Sequence, residues 1–64
     1  MKQANLFTIS FPIALSIVNM KLRDYYPSLH HLCDDLEINE ADLIQYFRSN
    51  GYFYHEDINQ FNEI

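Results

Sequence analysis

Apolar and polar residues alternate with different periods along this chain, and each change of period predicts an element. From Ser10 the period is helical, with Pro12 in the first turn, where a missing N–H costs nothing. At 100° per residue, Phe11, Ala14, Leu15, Val18, Leu22, Tyr25 and Tyr26 share one broad face, the expected core face. Ile13, Ile17 and Met20 form a second, narrower stripe roughly opposite, with Pro12, Ser16, Asn19 and Arg23 on a polar strip between. A helix with two apolar stripes needs two partners. Pro27 disfavours helical geometry at Tyr26, so the helix is expected to stop there and leave Ser28 free to cap the next.

In that second helix Leu29, Leu32, Cys33 and Leu36 recur at i, i+3, i+4 and i+7, the spacing of a buried stripe, while His30, His31, Asp34 and Asp35 point outward. Asn39 then reads as an N-cap with Asp42 at the third helical position, a capping box with a shorter acid. Leu43, Ile44 and Phe47 are predicted to face inward, and Asn50-Gly51 closes the third helix with a glycine suited to a left-handed position. Beyond it Tyr52, Phe53 and Tyr54 alternate, a polar His55-Glu56-Asp57 follows, and Ile58 to Phe61 returns, which predicts two short strands packed on the helices through Tyr52, Tyr54 and Phe61. Residues 1–9 read as an N-terminal arm, frayed or extended, and 10–64 as a single domain. The expected class is mainly α: a three-helix, helix-turn-helix-like bundle with a short C-terminal β-hairpin, winged-helix-like in order.

Composition narrows this picture. Sixty-four residues allow one domain, and a chain of that size buries only about 60% of its unfolded surface. A hydrophobic content of 48%, with 16% aromatic, argues against disorder. Nine acidic against four basic residues leave a net charge of −5, which disfavours nucleic-acid phosphates and anionic membrane surfaces. The single Cys33 cannot make an internal disulfide, so a reducing, cytoplasmic location is the simpler expectation. Leu6 to Val18 is an apolar run behind Lys2 that a secretory signal would also show, with Ala14-Leu15-Ser16 as a cleavage site. Cleavage there would delete half of the first helix and leave a fragment without staples, so the run is read as part of the fold. It is too short to span a membrane.

The candidate chemistry is sparse. His30 with Asp34, and His31 with Asp35, have the i, i+4 spacing of paired ligands, and His55 could join them, but solvated helix pairs share that spacing and no third ligand is identifiable; no metal and no cofactor is expected. Cys33 lacks an activating neighbour and reads as a small core residue. The tyrosines read as packing with hydroxyls reaching solvent. Lys21 and Arg23, two of the four basic residues, are expected to pair with Asp24 and other local carboxylates rather than to hold an anion. If the third helix met DNA, it would present Glu40, Asp42, Gln45, Tyr46 and Ser49, with Arg48 alone offering the opposite charge. No base, nucleophile and oxyanion donor can be paired, so no enzyme is expected.

The segment Asn19-x-Lys21-Leu22-Arg23-Asp24-x-Tyr26-Pro27-Ser28-Leu29-x-x-Leu32-Cys33, with Gly51-Tyr52-x-Tyr54 and Asn59-Gln60-Phe61, resembles a family of small bacterial domains of unknown function over roughly Pro12 to Phe61. The chain departs from that family's pattern at Phe11, where members tend to carry an acidic residue. The resemblance implies no activity. It does mark Asn19, Lys21, Arg23, Asp24, Tyr26, Asn59 and Gln60 as a candidate surface, expected to gather in space because the two segments end elements that must pack. The leading expectation is a non-enzymatic protein-interaction module, homodimeric through Ile13, Ile17 and Met20 with Phe7 or Ile9 adding to the patch, and able to dock another protein. The alternative is a transcription-associated DNA binder that acts with a basic partner.

Overall fold

The computed structural model describes residues 6–63. Three helices, α1 (Phe11–Asp24), α2 (Leu29–Leu36) and α3 (Glu40–Ser49), precede strands β1 (Phe53–His55) and β2 (Gln60–Asn62). The strands pair antiparallel, with Phe53 opposite Asn62, Tyr54 opposite Phe61 and His55 opposite Gln60. The expected three helices and hairpin are therefore present, in the expected order.

The helix ends follow from local chemistry. Ser10 is the N-cap residue of α1 and Pro12 lies in its first turn, but no side chain caps this end. Ser28 caps α2 by accepting from His31 N, and Asn39 caps α3 by accepting from Asp42 N at 3.1 Å. Each such cap satisfies one otherwise orphaned N–H. Ser28→Ala and Asn39→Ala are each expected to lower stability by about 1 kcal/mol, measurable by urea denaturation.

Both α2 and α3 end in the same six-residue hydrogen-bonded turn. In α3, Gly51 N donates to Arg48 O and Tyr52 N to Phe47 O, both at 2.9 Å, around Gly51 at φ 86°. In α2, Glu37 N donates to Asp34 O and Ile38 N to Cys33 O, around Glu37 at φ 60°. Glycine is the usual occupant of that left-handed position. A glutamate there hides the helix end from a sequence reading, although Ile38, packed against the core, is the apolar residue that such turns place just after the left-handed position.

Helix α1 stops at Asp24, two residues before the expected end. Tyr25 N and Tyr26 N both donate to Lys21 O, at 2.8 and 2.9 Å, which closes the helix early. The projection that placed Tyr25 on the core face fails for that reason: at φ −125° it has left the helical path, and it is 69% exposed. The rest of that face behaves as expected, with Ala14, Val18 and Leu22 buried and Phe11, Leu15 and Tyr26 packed at the edge.

The core joins Leu29, Leu32, Cys33 and Leu36 of α2, Leu43 and Phe47 of α3 and Phe61 of β2 to that face. Phe47 is at its centre, with ring centroids 5.0 Å from Phe11 and 4.4 Å from Phe61. Leu6 is also fully buried, and residues 6–8 form a turn. Where it is described, the segment expected as an arm thus contributes to the core, with Phe7 edge-on to Tyr46 at 5.2 Å; residues 1–5 and 64 lie outside the described residues.

Candidate functional site at the α1–α2 corner

The geometry around the corner is set by the backbone of one strand residue and the carboxamides of Asn19, Asn59 and Gln60. In an antiparallel strand a residue's N–H and C=O point to the same side. Phe61 directs both toward α1, where the Asn19 side chain accepts from Phe61 N at 2.8 Å and donates to Phe61 O at 3.1 Å. Asn19 therefore pairs with the outer edge of β2 much as a third strand would, and it removes two unpaired backbone groups from that edge. Gln60 Nε2 adds a bond to Asn19 O at 2.9 Å.

Asn59 stands at the end of the hairpin loop at φ 54°, a left-handed conformation that asparagine tolerates better than most residues. From there its Nδ2 donates to Leu22 O and Tyr26 O, both at 2.9 Å, and so takes up carbonyls at the end of α1 that the helix cannot satisfy itself. Its Oδ1 accepts from the Tyr54 hydroxyl at 2.5 Å, and that hydroxyl in turn accepts from Leu29 N at the start of α2, at 3.3 Å. One chain of hydrogen bonds thus links the end of one helix, the start of the next and the hairpin. The Tyr54 hydroxyl, expected in solvent, is inside this network, and burial raises its pKa while the Leu29 N–H works against the shift.

The other candidate residues lie on the outside. Arg23 Nε and Nη2 donate to the two carboxylate oxygens of Asp24, each at 3.1 Å, a pair that raises the Arg23 pKa and lowers that of Asp24. Lys21 Nζ sits 5.7 Å from the centroid of the exposed Tyr25 ring. Tyr26 uses its carbonyl in the network and its hydroxyl outside, donating to Asp35 at 2.5 Å, which holds the phenol above its ordinary pKa. The structure therefore brings Asn19, Tyr26, Asn59 and Gln60 together. Lys21, Arg23 and Asp24 lie on the solvent side, where Arg23, Asp24, Tyr25 and Pro27 help line a shallow open groove.

Two of the three histidines have separate partners, while the buried Nε2 of His55 has none among the described residues. His31 Nδ1 is 2.6 Å from Ser28 Oγ, and His30 Nδ1 is 3.4 Å from Glu40 Oε1. Among the described residues no three His, Cys, Asp or Glu side chains are placed to hold a metal ion. Cys33 is buried, and its pKa is pushed up to about 11 by burial and by the charge of Glu40. A thiol in that state is a poor nucleophile. The network's bonds run between three separate elements, so it is suited to holding them in place.

Residues 11–61, the whole of this architecture except its N-terminal turn and last residues, match the model of a family described as a domain of unknown function, DUF4250. The chain belongs to that family. No curated protein and no solved structure shows significant similarity to it. Family membership thus covers both segments of the corner, and the contacts above give Asn19, Asn59 and Gln60 a structural task within it. The Tyr54 contribution could be anticipated from its alternation with Phe53; its bond to Asn59 could not, because it depends on a left-handed backbone at residue 59.

Proposed function

We propose that this domain is a non-enzymatic protein-interaction module that self-associates through the outer face of α1. The observation that carries the reading is that Ile13 and Met20, two turns apart, are 55% and 37% exposed on the side of α1 away from the core. Ile17 lies between them at the edge of the core, half-buried, so its side chain extends the patch inward. Large aliphatics on adjacent turns form a patch that soluble monomers tend to cover. Two like helices related by a two-fold axis would bury it with one self-complementary surface and add core to a small domain. The acidic balance, with Glu40 and Asp42 at the start of α3, opposes the alternative in which that helix enters DNA. A reducing, cytoplasmic setting suits a chain whose one thiol is buried and free. Among the described residues no helix is long and apolar enough to cross a membrane.

Because Ile17 also packs against the core, Ile13→Asp and Met20→Asp are the cleaner probes. The native chain should show a dimer mass by light scattering, and each variant a monomer mass with an unchanged circular dichroism spectrum. A native chain that remains monomeric at high concentration would refute the interface. Salt-sensitive binding to random duplex DNA, lost on Arg48→Ala, would favour the DNA reading instead.

A further inference from the structure

The one glycine of the chain follows an asparagine, and both residues sit on the surface at the end of α3. We infer that Asn50-Gly51 is a site of spontaneous deamidation that the native turn holds shut and that opening of the last turn of α3 exposes. The chemistry needs no catalyst. The backbone nitrogen of Gly51 gives up its proton and attacks the Asn50 side-chain carbonyl carbon. The bond from that carbon to Nδ2 breaks, the nitrogen leaves as ammonia after taking up a proton, and a succinimide ring remains. Water opens the ring at either carbonyl, leaving an aspartate or an isoaspartate linkage and one added negative charge. The other five asparagines precede Leu6, Met20, Glu40, Gln60 and Glu63, whose side chains hinder the same attack.

Two bonds in the native turn oppose this reaction. The attacking nitrogen is committed, since Gly51 N donates to Arg48 O at 2.9 Å. The leaving nitrogen is committed as well, since Asn50 Nδ2 donates to Tyr46 O at 2.9 Å. Both groups must be released before the ring can close. The product also cannot remake the native turn. A carboxylate at residue 50 can only accept, so it would face Tyr46 O without a proton to offer and would add negative charge at the negative end of the helix. Glycine is favoured at residue 51 by its φ of 86°, not by space, because a Cβ there would meet nothing within 4 Å. The conformation that ends the helix thus places the reactive pair in the sequence.

The test compares the full chain, native and in urea, at mildly alkaline pH, following acidic species by ion exchange and locating them by peptide mapping. Deamidation at Asn50 should be about tenfold or more slower in the native protein, as protection by a closed local structure requires, and Asn50→Gln should remove the fast acidic species in urea. Equal native and unfolded rates would overturn the shielding. Acidic species that persist in Asn50→Gln would overturn the site. Asn50→Asp should lower Tm relative to the native chain, and an unchanged Tm would overturn the loss of the turn in the product.

Discussion

Phe47→Ala should leave this domain largely unfolded at room temperature. The side chain is fully buried, with the rings of Phe11 and Phe61 against it and Leu43 one turn away on the same helix face. Truncation of such a phenylalanine costs about 3–5 kcal/mol through lost transfer energy and the cavity left behind. A single core in a chain this small rarely supplies more than about 3–5 kcal/mol in total. The two quantities are equal, so the mutation removes the whole margin. Phe47→Leu conserves most of the volume and should cost less than about 1.5 kcal/mol. Far-UV circular dichroism in increasing urea separates the outcomes. A cooperative transition for Phe47→Ala close to the native midpoint would remove Phe47 from the centre of the core.

Asn59→Ala should be almost as damaging, for a different reason. It deletes three part-buried hydrogen bonds, to Leu22 O, to Tyr26 O and from the Tyr54 hydroxyl. At about 0.5–1.5 kcal/mol each these sum to roughly 2–4 kcal/mol. It also places a residue with a Cβ and no polar side chain at φ 54°, which adds about 1 kcal/mol. Asn59→Gly keeps the backbone relaxed and loses only the bonds, so it should be more stable than Asn59→Ala by about 1 kcal/mol. Urea midpoints of the three proteins test this directly. If the alanine and glycine variants matched the native chain, the network would be a surface ornament and the α1–α2 corner would be held by Leu22, Leu29 and Phe61 alone.

The two mutations bracket what the sequence could and could not show. Phe47 was legible because it belongs to a periodic face: Leu43 and Phe47, like Leu29, Leu32, Cys33 and Leu36, fall at helical spacing, and periodicity alone orients them inward. The helix starts were legible because Ser28 and Asn39 cap within three residues of themselves. The end of α3 was legible because its left-handed residue is a glycine, and the hairpin because its alternation is local.

Asn59 was not legible in the same way. Its partners Leu22 and Tyr26 are more than thirty residues away in sequence, and carboxamides carry no period to reveal which carbonyl they will meet. The nearness of the two segments was an expectation drawn from family resemblance, and resemblance did not say that Asn19 would pair with the edge of β2 while Arg23 and Asp24 turned to solvent. The burial of Leu6 is not legible because it lies outside the periodic stretch, where an apolar residue has no predicted direction until a core exists for it to enter. Tyr25 was misplaced because the helical projection was carried past the point at which two N–H groups converge on Lys21 O. Short-range rules, capping and periodicity, were therefore sufficient for the elements and their inward faces. The corner network, the turn of Tyr25 into solvent and the burial of Leu6 depend on which distant backbone groups are left unsatisfied after the elements pack, and only the tertiary structure decides that.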